Sequence, residues 1–120
     1  GPCVVNTVTN CVCSSNFVVG RAGECDASSA ATASSQYDYD SYESCRVDFT
    51  QPVTLTKHLF ETEGSGGYYS GCYDYVEVGG TQYCTSGTND GNDLNGLRTS
   101  RLDWTSDYGV NAKGFIICFS

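Results

Sequence analysis

The chain is poor in several residue types, and each shortage removes a class of function. Its 120 residues hold two prolines, one histidine, one tryptophan and no methionine. No apolar run approaches the ~18 residues that a membrane-spanning helix needs. Lys and Arg together number six against 14 Asp and Glu, a net charge of −8. A surface of that sign repels phosphate backbones and anionic membranes, so neither nucleic acid binding nor membrane insertion is expected. It suits cationic partners, calcium or simple solubility, the last being the default for scattered acids. His58 is the sole histidine, and no C-x-x-C occurs, which leaves little for a zinc centre. No nucleophile elbow or phosphate loop is present, and Gly64-Ser65-Gly66 lacks the elbow's spacing. Paired carboxylates acting on glycosides need a deep cleft, which a domain this small seldom makes. The sequence does not read as an enzyme.

Cysteine, by contrast, is abundant. Eight cysteines, an even number, with only Cys11 and Cys13 closely spaced, predict four disulfides and an oxidising, extracellular setting. Gly1-Pro2 reads as the scar of a removed tag, so reasoning starts at residue 3. The length is that of one domain with a modest core.

The stretch Cys72–Cys84, C-Y-D-Y-V-E-V-G-G-T-Q-Y-C, organises the rest. Aromatic and β-branched residues precede Gly79-Gly80, and a second extended run follows. Two such runs around Gly-Gly predict a tight hairpin, because both central residues of a type I′ turn require positive φ. Cysteines at the outer ends of a hairpin lie close across the strands, so Cys72–Cys84 is expected to be a disulfide.

Residues 3–36 contain Cys3, Cys11, Cys13 and Cys25, a density that marks a segment held by crosslinks more than by its own core. Asn16–Val19 reads as a strand and Val4-Val5 as a weaker one. Asp26–Gln36 is Ala/Ser/Thr-rich without an apolar stripe and reads as a surface loop with at most one helical turn. Residues 37–43, Y-D-Y-D-S-Y-E, alternate aromatic and acidic side chains, as in a half-buried strand or an exposed binding strip. Two strands are then expected, Ser44–Phe49 and Pro52–Thr62, separated by a turn at Gln51-Pro52. Val53, Leu55 and Leu59 share a parity that Phe60 breaks, which predicts a bulge. His58, at the opposite parity to Leu55, is expected in solvent. Glu63–Gly71 and Thr85–Gly96 are polar loops, and Asp90-Gly91-Asn92-Asp93 reads as an Asx-rich turn, since it lacks the residue order of an EF-hand. Leu97–Ser106 and Phe115–Phe119 supply the last strands. Many short strands between turn signals predict an all-β, two-layer antiparallel sandwich over residues 37–120. In the last strand Phe115, Ile117 and Phe119 share one face, with Ile116 and Cys118 on the other. Cys118 is therefore expected to bridge to Cys3 or Cys11, which leaves Cys13 or Cys25 for Cys45.

C-x-x-D-Y-V-x-V followed by Y-C resembles the signature of CUB domains, extracellular jelly-roll-like β-sandwich modules. Leu102, Trp104, Ser106 and Asp107 fit the family's L-x-F-x-S-D with Trp for Phe, and Gly114-Phe115 fits its G-F. Upstream, Tyr39, Cys45, Val47 and Phe49, then Val53, Leu55, Phe60 and Glu63, fall in the family's order, although Lys57 replaces an apolar residue. The resemblance spans about Tyr39 to Ser120, with residues 3–36 as an elaboration.

The resemblance implies a Ca²⁺ site at one end of the sandwich, with Glu63, Asp74 and Asp107 as carboxylate ligands and Gly109 offering a main-chain carbonyl. A hard cation takes such oxygens at ~2.3–2.6 Å. The family's asparagine ligand position holds Val110, with Asn111 one step on. Without a cation, three clustered carboxylates raise one another's pKa. The function implied is recognition of an extracellular protein through calcium-ordered loops, a Lys or Arg of the partner meeting the calcium end. Tyr68, Tyr69, Tyr108 and Tyr42 are the candidate contact residues, since tyrosine gives large contact area at low entropy cost. The alternatives are a secreted carbohydrate-binding protein and a self-assembling adhesive or structural protein. No N-x-[ST] sequon occurs.

Overall fold

The computed structural model describes residues 3–15, 25–31, 38–63 and 71–120. The expected strand at Asn16–Val19 lies outside them. Among the described residues the chain forms strands β1 (Val4–Asn6), β2 (Cys11–Cys13), β3 (Ser44–Glu61), β4 (Tyr75–Val78), β5 (Thr81–Tyr83), β6 (Arg98–Thr105) and β7 (Gly114–Phe119), with 3-10 turns at Ala27–Ala31 and Gly91–Leu94. All the strand pairs are antiparallel, in the order β1-β2-β7-β3-β6-β4-β5. The fold is the expected all-β sandwich. Its two layers share one strand: residues Ser44–Thr54 of β3 pair with β6, and Leu55–Glu61 pair with β7.

That sharing replaces the expected turn at Gln51-Pro52. The chain stays extended there, while its pairing to β6 slips between Asp48 and Val53. Pro52 has no N–H to give a ladder, and it lies within that slip, shortly before Leu55 takes up the pairing with β7. The expected bulge also exists, but one step from where parity suggested. Register on β7 shifts between Lys57 and Leu59, around the exposed His58. One extra residue inverts every face that follows. Leu59 therefore joins a small outer cluster while Phe60 packs against the inter-sheet core.

Aromatic rings dominate the inter-sheet core. Trp104 of β6 packs edge-on against Tyr39 at 4.8 Å and Phe115 of β7 at 5.1 Å, and Phe49 meets Phe119 at 4.9 Å. The alternation predicted for β7 holds: Phe115, Ile117 and Phe119 face this core, while Ile116 and Cys118 face the second cluster with Cys11, Cys13 and Cys25. The Gly-Gly hairpin also forms, with Gly79 and Gly80 at φ 60° and 81° between the paired Val78 and Thr81.

Four disulfides close the chain: Cys3–Cys45, Cys11–Cys118, Cys13–Cys25 and Cys72–Cys84. Cys72–Cys84 and the Cys11 option for Cys118 are as expected. The partner of Cys45 is a correction, being Cys3 and neither Cys13 nor Cys25. Side-chain parity explains it. Cys11 and Cys13 are two residues apart on β2 and share the outer face of their sheet with Cys25, whereas Cys3 and Cys45 both pack against the inter-sheet core.

The entry to β7 depends on a bare backbone. Gly114 has φ 93°, and a Cβ there would lie 1.9 Å from Ser14 Oγ, which accepts the Phe115 N–H at 3.1 Å. Gly114→Ala is expected to destabilise the protein by ~2 kcal/mol or more through strain and overpacking. Chemical denaturation reads this as a lower midpoint at unchanged slope.

Candidate metal centre

Three chain segments leave the sandwich at one end, and each carries an acid. Glu63 follows β3, Asp74 immediately precedes β4, and Asp107 follows β6. Reciprocal bonds hold the end of β3: the Thr62 N–H donates to Thr85 Oγ1 at 3.0 Å, and the Thr85 N–H to Thr62 Oγ1 at 3.1 Å. The Cys72–Cys84 crosslink fixes the approach to Asp74.

One carboxylate oxygen from each of the three acids lies within 4.8 Å of the others. A calcium ion at ~2.3–2.6 Å from each ligand sets opposed ligands about 4.6–5.2 Å apart, so the spacing fits. Asp74 is fully buried. Its Oδ2 accepts the Tyr39 hydroxyl at 2.5 Å, and its Oδ1 accepts the Asp107 N–H at 2.7 Å. The same Tyr39 oxygen accepts the Glu63 N–H at 3.0 Å. Tyr39 and Asp74 thus bind the backbones that carry the other two acids. The Gly109 N–H donates to Asp107 Oδ1 at 3.1 Å and orients that carboxylate. The expected role of Gly109 is a carbonyl ligand, whereas the contact seen is made by its amide.

Glu63 Oε1 is buried without a hydrogen-bond partner. Such an oxygen is costly unless something satisfies it, and an oxygen-only donor set suits a hard cation over zinc or copper. Burial, followed by the charges of Asp107 and Asp74, raises the Glu63 pKa from 4.5 to about 7. Burial also raises that of Asp74, against the lowering effect of its bonds from Tyr39 and Asp107. The Tyr39 phenol is pushed up as well, by burial first and then by Asp74.

Beside the cluster lies a hub that the sequence reading missed. Glu43 is buried and accepts from Trp104 Nε1 at 3.0 Å, from the Asp40 N–H at 2.9 Å and from Ser15 Oγ. Its own N–H donates to Ser106 Oγ at 2.8 Å, which in turn donates to the Asp40 carbonyl at 2.8 Å. One signal for it was present. Replacing Phe by Trp in L-x-F-x-S-D introduces an N–H that must find an acceptor when buried, and Glu43 was the one acid in the aromatic strip next to a strand.

The candidate contact tyrosines divide. Tyr42 and Tyr108 are each 77% exposed, and the Tyr42 N–H donates to the Asp107 carbonyl at 2.9 Å, so both flank the acids. Tyr68 and Tyr69 lie outside the described residues. Asp90–Asp93 forms the expected turn: Asp90 caps Gly91–Leu94, and Asp90 and Asp93 make reciprocal capping bonds. No protein family, curated protein or solved structure matches the chain.

Two outcomes follow from this geometry. Glu43→Ala orphans the indole N–H and the Asp40 N–H, and is expected to cost ~2–4 kcal/mol in denaturant melts. For the metal-free protein, the folded state holds more protons than the unfolded chain between the two Glu63 pKa values, 4.5 and about 7. The slope of stability against pH is therefore negative. Melting temperature in EDTA is expected to fall as pH rises through that window. Glu63→Gln is expected to flatten the fall.

Proposed function

We propose that the protein is a secreted binding module in which Glu63, Asp74 and Asp107 hold a Ca²⁺ ion that orders the loop end for an extracellular protein partner. The observation that carries this reading is the convergence of three carboxylates around the fully buried Asp74, with Glu63 Oε1 buried and unsatisfied. Four disulfides and the lack of a long apolar helix among the described residues are compatible with an extracellular setting. Three carboxylates around one divalent ion leave the rim anionic, so the partner surface is cationic, with Lys or Arg among its contacts.

Exposed apolar groups border the same acids. Tyr42 and Tyr108 are joined by Val110, which is 68% exposed. Tyr42 and Val110 have φ of 59° and 33°, values rare outside glycine, and for a β-branched residue such a value is an outlier. Strained backbone of this kind concentrates at binding and catalytic sites. The tyrosine faces supply contact area and attract cations.

The test is a thermal melt in calcium and in EDTA, with Trp104 fluorescence as a second signal because its ring packs on Tyr39. A dissociation constant of ~10⁻⁴–10⁻³ M is expected. At tenfold excess over it, calcium stabilises by about 1.4 kcal/mol, a rise of a few degrees. Glu63→Gln loses the shift, whereas Tyr42→Ala and Tyr108→Ala keep it and lose partner binding. Identical melts in calcium and EDTA would end the metal reading.

A further inference from the structure

We propose that a second site, in the cavity between β3 and the loop after β5, binds a zwitterion of the phosphocholine type independently of calcium. The quaternary ammonium lies against Phe60 and Asp90, and the phosphoryl group against Lys57 and Thr85. The cavity measures about 250 Å³ and is lined by these four residues with Ser86, Gly91 and Asn92. That is below the ~300–1,000 Å³ of pockets for drug-sized ligands, and suits a headgroup.

Charge placement is the leading observation. Among the described residues the ion pairs are Arg46–Asp103 and Arg101–Asp48. Lys57 and Asp90 face one cavity with opposite charges and do not pair. A lone anion would meet Asp90 there, and a lone cation would meet Lys57. A molecule carrying both charges answers both, and a phosphodiester of choline, with one negative and one positive charge, has zero net charge and avoids repulsion by a chain of net charge −8.

The lining is built in advance. The Lys57 N–H donates to Asn95 Oδ1 at 2.7 Å. Asp90 Oδ1 accepts the Asn92 N–H at 2.9 Å, and the Asp90 N–H is held by Asp93 at 3.0 Å. Thr85 Oγ1 accepts the Thr62 N–H, which leaves its own proton to donate. Gly91 lies flat on Phe60, since a Cβ there would stand 2.5 Å from the Phe60 Cβ and 2.6 Å from its Cγ. Ser86 has φ 61°, a strained conformation for serine.

The donor and acceptor inventory selects the two ends. A primary ammonium wants three acceptors, and Asp90 has one carboxylate oxygen already occupied. A quaternary ammonium needs contact alone, which an aromatic face and a carboxylate provide. The ammonium of Lys57 and the Thr85 hydroxyl supply donors for phosphoryl oxygens.

The experiment is an NMR titration of the whole chain with glycerophosphocholine, a phosphodiester of zero net charge, in EDTA, so that its outcome is separate from that of the calcium site. Millimolar binding is expected, with shifts confined to residues 57–60 and 85–92. Choline alone and inorganic phosphate alone are each expected to bind at least ~10-fold more weakly, a loss of about 1.4 kcal/mol. Lys57→Gln and Asp90→Asn should each weaken glycerophosphocholine by a similar factor, and asparagine preserves the turn's cap. Cosedimentation with phosphatidylcholine vesicles assigns the headgroup to lipid, and binding of glycerophosphocholine without vesicle binding assigns it to a soluble or glycan-linked source. No shift at saturating glycerophosphocholine overturns the proposal. So do equal affinity for choline, glycine or a methyl glycoside, and indifference to both substitutions.

Discussion

A carboxyl group removed from water is among the most expensive groups a fold can contain unless its oxygens are satisfied, and Asp74 is such a group. The bonds that offset its burial also hold the loop end together. Tyr39 donates to one oxygen and the Asp107 amide to the other. Through the Tyr39 oxygen the Glu63 amide is tied in as well. Three segments remote in sequence are therefore referenced to one side chain. Their acids converge because their backbones do. The arrangement raises the pKa of Asp74 and Glu63, by burial first and by mutual charge second. A divalent ion would reverse the sign of that mutual interaction, because each carboxylate would then face a positive centre instead of two negative ones.

The crosslinks solve a different problem. A chain of 120 residues with this many polar loops buries a limited core, and the described residues of its first segment form two strands of three residues each. Cys11–Cys118 joins directly paired residues of β2 and β7 across 107 positions of sequence. Cys3–Cys45 ties β1 to the first half of β3, in the other sheet. On the chain-entropy account, loops of this range are each worth roughly 3–5 kcal/mol against the unfolded ensemble. The N-terminal strands thereby extend a sheet that their three-residue lengths could not hold alone.

How far the sequence disclosed this depends on the range of the signal. Gly79-Gly80 between two β-prone runs is a local constraint, and local chemistry decides it. The faces of β7 were equally readable, because period two is set by the backbone of a single strand. The three acids were legible only through a spaced motif. Nothing in their own flanks says that Asp74 is buried. What was hidden required knowledge of partners. The continuity of β3 past Pro52 follows from its change of sheet, and the face of Leu59 follows from a bulge at His58. The partner of Cys45 depended on which face of β2 carries Cys13, which is fixed by the pairing of β2 with β7. Glu43 was obscured by company: among alternating tyrosines and acids it looked like one more surface charge, yet it is the acceptor that buried Trp104 requires.

Tyr39 connects these levels. Its ring packs edge-on against Trp104 inside the sandwich, while its hydroxyl anchors Asp74 at the rim. Trp104 is held in turn by Glu43, whose backbone and side chain organise residues 40 and 106. The loop end is therefore not an appendage whose order must come wholly from a ligand. Core packing places Tyr39, Tyr39 places Asp74, and Asp74 places Asp107. One carboxylate oxygen of each acid lies within 4.8 Å of the others, so part of the conformational entropy that a shared ligand would cost is already lost in the fold. What opposes metal-free order is electrostatic, and neutralisation removes that opposition directly. On the proposed reading, a Ca²⁺ ion would complete the order that this frame begins, because attraction to one centre would replace the mutual repulsion of Glu63, Asp74 and Asp107.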